Sequence, residues 1–88
     1  MTMHVYFAQG AKLIKIGRSA DVDRRMSQLR TSGPIELIAA VVAEASLEKK
    51  LHHDLVPFRV HREWFKDCAE VRAAISETLA TAAGTEST

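Results

Sequence analysis

Two short runs rich in aromatic and β-branched residues, residues 3–9 and 12–17, flank the segment Gln9-Gly10-Ala11-Lys12. Strand-forming runs this close together, joined by a glycine-containing turn, leave a β-hairpin as the natural solution. A two-residue turn with glycine first is of type II′, and it would place Gly10 and Ala11 at the tip. In that register Phe7 faces Ile14 and Val5 faces Ile16. Tyr6 then faces Lys15, on the opposite side of the sheet from Phe7. Everything downstream has to pack on one side or the other of this hairpin.

Residues 20–31 predict a helix. Ser19 or Asp21 can cap it, and Ser32-Gly33-Pro34 ends it. Val22, Met26 and Leu29 form its apolar stripe. At the helical repeat Arg25 lies about 60° from the centre of that stripe and Arg24 about 160° away. Arg24 is therefore expected in solvent and Arg25 at the edge of the core. The apolar run from Ile35 to Val42 has the length and bounds of a buried strand. Residues 45–56 predict a second helix, stopped before Pro57, with Leu47, Leu51 and Leu55 as its stripe. Glu48 flanks that stripe, and His52 follows one turn later on the same side. Residues 58–66 read as a loop or a short strand. Residues 68–80 form a third helical segment through Val71, Ile75 and Leu79, and a frayed tail is expected from about Thr81. The 88 residues thus make one domain, residues 1–80, followed by a disordered tail, residues 81–88.

The net charge of +1 hides an asymmetry. Residues 1–66 hold eleven Lys and Arg against seven Asp and Glu, whereas residues 67–88 hold one against four. The basic part is a mild pointer to a polyanionic partner. The single cysteine, Cys68, excludes an internal disulfide and a cysteine-rich zinc site, and reads as a small semi-buried side chain. No signal-peptide pattern and no apolar run of membrane-spanning length is present, so a cytoplasmic location without membrane contact is expected.

Tyr6, Lys15, Arg25 and Glu48 are the residues with the strongest chemical meaning. Hydrolysis of a phosphodiester needs a base to prepare water, positive charge to offset the developing oxyanion, and help for the departing oxygen. Tyr6 suits the first role if Lys15 across the hairpin lowers its pKa. Arg25 suits the second through bidentate contact with phosphate. Glu48 suits the third by holding one divalent cation, whose other positions water and substrate fill. Each has an ordinary alternative: a packed strand tyrosine, a solvated lysine, an Arg25–Glu48 salt bridge. His52 is either a group acting beside Glu48 or a helix-flank histidine. Glu63-Trp64-Phe65 either lines the rim of the site or anchors the last loop, with Glu63 paired to a base. Arg18, Arg24 and Arg30 are candidates for contacts with a nucleic-acid backbone.

Taken in order, Val5-Tyr6-Phe7, Ile14-Lys15-Ile16-Gly17, Arg25, Leu29, Glu48-Lys49-Lys50-Leu51-His52 and Glu63-Trp64-Phe65 resemble the GIY-YIG nuclease superfamily. The resemblance is to its often phage-borne branch and spans residues 5–65. It implies a small α/β (α+β) domain, a three-stranded antiparallel sheet flanked by helices in the order β-β-α-β-α-α. It also implies cleavage of DNA with one divalent metal ion, Mg2+ or Mn2+. Carried over, Tyr6 is the candidate base, Arg25 the phosphate contact and Glu48 the metal ligand. Gly17 lets the backbone pass close to the site. His4 stands where the family has its first glycine, and Lys15 where it has its second tyrosine. The chain contains no asparagine, although many family nucleases place one after the metal glutamate. A nucleic-acid-binding module of the same fold with impaired catalysis is therefore the alternative. Nothing in the chain resembles a base-reading helix, so sequence specificity is expected to be low or supplied by a partner protein or domain.

Overall fold

The computed structural model describes residues 2–86, with side chains as far as Ala82. The order is β1 (His4–Gly10), β2 (Leu13–Ser19), α1 (Val22–Arg30), β3 (Glu36–Val42), α2 (Ala45–Asp54), β4 (Arg59–His61), β5 (Trp64–Lys66) and α3 (Ala69–Glu86), with a 3-10 turn at Val56–Phe58. The strands form one five-stranded sheet in the order β3-β1-β2-β5-β4, and every paired neighbour is antiparallel.

The α+β architecture and the three helices agree with the sequence; the strand count does not. The expected three-stranded sheet gains β4 and β5, a second hairpin turning at Arg62, whose φ is 52°. Phe65 pairs with Ile14 and docks this hairpin on the free edge of β2. Strands of three residues each are too short to show a period of two, which is why the segment reads only as mixed.

The first hairpin also turns one residue later than expected. Ala11 and Lys12 form the turn, with φ of 53° and 64°, the backbone signature of type I′ rather than type II′. Gly10 serves a different purpose. A Cβ there would lie 2.9 Å from Cγ1 of Ile35 and 3.2 Å from the Pro34 carbonyl oxygen. Glycine at this position lets the α1–β3 loop close over the hairpin. The register consequently moves by two: Tyr6 faces Gly17, Ala8 faces Lys15 and Phe7 faces Ile16. An even shift preserves the face of every side chain but changes every partner.

One sheet face carries Val5, Phe7, Ile14, Ile16 and Phe65 and packs against Leu51 and Leu55 of α2 and Val71 and Ile75 of α3. The other carries Tyr6 and Ala8 and packs against Met26, with Val22, Leu29 and Ile35 around them. The sheet is thus sandwiched between α1 and the α2–α3 pair. The run Ile35 to Val42, expected as a buried strand, is the outer strand β3, and Val42 is 69% exposed. It pairs only with β1, and pairing partners are not written in a hydrophobic run. Cys68 is a free, partly buried thiol against the larger cluster. Beside it Arg72 donates two hydrogen bonds to Asp67, at 2.6 and 3.0 Å. Asp67 also accepts from Gln9 of β1 at 2.8 Å, which ties α3 to the hairpin. The Arg72 guanidinium holds the Asp67 carboxyl below its ordinary pKa. Where a tail was expected from Thr81, α3 runs on to Glu86, with Ala82 packed on the core. Of that tail, residues 87–88 lie outside the described residues.

Candidate functional site

The end of β2 and the start of α1 meet in an open cleft of about 300 Å3 lined by Arg18, Ser19, Asp21, Arg24, Arg25 and Gln28. Asp21 builds this corner: its Oδ1 accepts from the Arg24 backbone N–H at 3.1 Å and caps α1. The Ser19 hydroxyl in turn donates to the Asp21 carbonyl at 2.9 Å. Three guanidinium groups beside a helix N-terminus make a surface that attracts an anion. Arg24, expected in solvent, is exposed and shares the cleft. Arg25 is exposed too, rather than tucked against the core, and donates to Gln28 Oε1 at 3.4 Å. Arg30 lies outside the cleft: its Nε donates to the Ile35 carbonyl at 3.2 Å and fastens the loop after α1.

Glu48 approaches from α2. Its side chain is 13% exposed, and its Oε1 lies 3.9 Å from Nε of Arg18. Its Oε2 is buried and has no hydrogen-bond partner among the described residues. A buried, unsatisfied carboxylate oxygen costs roughly 1–3 kcal/mol or more, so such an atom in a stable fold calls for a functional account. The alternative reading of an Arg25–Glu48 salt bridge is not met among the described residues; Arg18 takes that position and links the carboxylate to the cleft. Sequence reasoning named Arg18 only as a backbone contact. Alternation along β2 carries the missing signal, because Gly17 faces α1 and its neighbour must therefore face α2.

Tyr6 is 1% exposed and packs beside Met26. A Cβ on Gly17 would lie 2.7 Å from both Cζ and Oη of Tyr6, so the glycine makes room for the phenol. Gly17→Ala is expected to destabilise the domain by about 1–3 kcal/mol, the usual cost of overpacking, as read by urea denaturation. The expected cross-strand pair of Tyr6 and Lys15 is absent because of the shifted register. Lys15 is 7% exposed. Its Nζ instead lies 3.0 Å from Oε2 of Glu63 and 5.3 Å from the centroid of the Trp64 ring. Glu63 thus pairs with a base, and Phe65 anchors the segment in the core.

His52 Nε2 donates to the Ile16 carbonyl at 2.9 Å, and its ring stands edge-on to Phe65 at 5.1 Å. It fastens α2 to β2 one turn beyond Glu48 and touches no part of the cleft. The four expected residues therefore do not share one pocket. Arg25 lines the cleft, Glu48 adjoins it through Arg18, and Tyr6 lies beside Gly17 on the α1 side of the sheet. Lys15 is held apart. No group of three or more His, Cys, Asp or Glu side chains suited to a metal ion occurs among the described residues.

The model of the T5orf172 domain matches residues 3–80. The chain belongs to the T5orf172 domain family. Membership marks it as a phage-related domain of nucleic-acid-binding or nuclease-like character. No curated protein and no solved structure matches it. The match takes in the cleft, Glu48 and the second hairpin, so all the candidate site residues lie within the T5orf172 domain. Among its described residues no helix is long and apolar enough to cross a membrane.

Proposed function

We propose that this T5orf172 domain hydrolyses DNA phosphodiester bonds in the GIY-YIG manner, using one Mg2+ or Mn2+ ion held by Glu48. The observation that carries this reading is the buried Oε2 of Glu48, without a hydrogen-bond partner among the described residues, next to an arginine-lined cleft. A lone carboxylate suits Mg2+, which keeps several waters and takes substrate phosphate oxygens as further ligands. When bound, the ion would neutralise charge on the phosphate and ease departure of the leaving oxygen.

The chain's own groups divide the remaining work. Arg25, with Arg18 and Arg24, holds the phosphate by charge-assisted hydrogen bonds. The Tyr6 hydroxyl is 1% exposed, on the α1 side of the sheet and outside the cleft lining, so it is assigned no proton transfer; the ion, when bound, would instead lower the pKa of the attacking water. Lys15 is committed to Glu63 and supports the second hairpin. His52 acts as a positioning residue, holding the helix that carries Glu48.

One observation favours binding without turnover. Arg18 already stands 3.9 Å from Glu48, so an internal cation partly occupies the place a metal would take. Nicking of supercoiled plasmid DNA separates the two readings. Nicked product is expected with Mg2+ or Mn2+ and not without, and Arg25→Ala is expected to slow it by about 100-fold, as when one transition-state contact is removed. Binding with no product at any metal concentration would leave the domain a binding module.

A further inference from the structure

A second concavity lies at the far end of the hairpin. Leu13, Gly33, Pro34, Ile35, His61 and Trp64 line a mostly apolar groove of about 530 Å3, within the range of about 300–1,000 Å3 usual for small-molecule sites. Nothing in the cleavage chemistry uses it. We infer that this groove stacks an unpaired nucleobase of the DNA strand whose phosphate sits in the arginine cleft, an inference that rests on the cleft taking a phosphate.

Three observations support this occupant. Trp64 is a half-buried indole with the Lys15 ammonium over one ring face. Lys15 Nζ stands 5.3 Å from the ring centroid, and Glu63 pins that ammonium at 3.0 Å. An aromatic ring in a groove is the recurrent device for binding unstacked bases. The charge around the groove is also complementary to a nucleic-acid strand. No acidic residue lines it; exposed Lys12, Arg62 and Lys66 border it in chain or register, against the acids Glu36 and Glu63, of which Glu63 is paired to Lys15. None of the three basic residues forms an ion pair among the described residues. An apolar peptide would gain nothing from such a rim, whereas a base carries its phosphate with it. Finally, the groove and the cleft are joined by one strand. Leu13 at the groove and Ser19 at the cleft stand on the same face at opposite ends of β2. Along the strand they are roughly 20 Å apart, about six steps of a B-form strand at 3.4 Å each. A duplex has no free base to offer at that distance, so the preferred substrate would have a frayed, flapped or single-stranded segment next to the scissile phosphate.

Trp64 is the chain's single tryptophan, so its fluorescence reports on the groove alone. The full chain would be titrated, without metal, with short oligothymidine, a matching strand of abasic sites, and a fully paired duplex; anisotropy of labelled strands would measure binding in parallel. Quenching by oligothymidine well beyond that by the abasic strand or the duplex is the expected result. Trp64→Ala should weaken oligothymidine about 5- to 150-fold, the usual range for losing one stacked base, and leave the abasic strand unchanged. Trp64→Phe should recover much of the loss if the alanine variant folds poorly. Binding of oligothymidine without quenching, or equal quenching by the abasic strand, overturns the inference. Quenching with no nicking under any metal condition leaves the stacking groove standing and removes the hydrolase reading. Nicking without selective quenching does the reverse.

Discussion

Glu48→Gln is expected to abolish metal-dependent nicking while leaving the fold intact and DNA binding undiminished. The substitution keeps the shape of the side chain and removes one negative charge. A divalent ion offsets phosphate charge by several kcal/mol, so losing its carboxylate should slow cleavage by at least about 100-fold, at 1.36 kcal/mol per decade. Stability should move the other way or not at all. Oε2 of Glu48 is buried without a hydrogen-bond partner among the described residues, and its desolvation penalty is larger for a charged oxygen than for a neutral amide. The compensating attraction to Arg18 is small, because the pair is 3.9 Å apart and the arginine is 46% exposed. Binding of uncleaved DNA should hold or tighten, since an acid beside the cleft has been neutralised. Nicking rates, urea melts and fluorescence anisotropy on the one variant test all three statements. A Glu48→Gln protein that nicks at the wild-type rate in Mg2+ would remove the residue from the chemistry.

How far the molecule could be read in advance differs from element to element. The hairpin was legible because Val5 and Phe7 alternate with Tyr6 and Ala8, and this alternation alone assigns the two faces that α1 and α2 later cover. The helices were legible from their caps and stripes, with Asp21 and Met26 behaving as the pattern requires. The turn was not, because a glycine can serve either the backbone or a neighbour. Gly10 is needed by Ile35, and the strained positions fall on Ala11 and Lys12. That single misplacement moved Lys15 away from Tyr6. The second hairpin was hidden in two strands of three residues, and it brings Glu63 to Lys15. Glu48 flanks its stripe as its spacing requires, Arg25 is exposed instead of edging the core, and the contact with Glu48 is made by Arg18. Helical periodicity fixes which way a side chain leaves its own element. It says nothing of which neighbour arrives to meet it.

Phe65→Ala is expected to be the most damaging single change to stability. The ring is 0% exposed, lies in the larger core cluster, and belongs to the β5 residue paired with Ile14. Truncating a buried phenylalanine costs about 3–5 kcal/mol through lost transfer energy and the cavity left behind. A domain of this size has only about 5–10 kcal/mol in hand, so Tm should fall by at least about 12 °C, at 4–8 °C per kcal/mol. The damage should also spread in a definite direction. β5 would lose its anchor, and Glu63 and Trp64 flank that anchor on its N-terminal side; the buried ammonium of Lys15 would then lack its carboxylate, a costly state at low dielectric. His52 would lose the ring it stands against, freeing α2 and with it Glu48. Phe65→Leu keeps most of the volume and should retain both the Lys15–Glu63 pair and most of the stability. Thermal melts by circular dichroism, with Trp64 emission followed in parallel, distinguish these outcomes. In the alanine variant the emission should shift to the red below the melting transition, because the second hairpin detaches before the rest unfolds. A loss of under about 5 °C in Tm, roughly 1 kcal/mol at this size, would mean that β5 is not a core strand and that the sheet ends at β2.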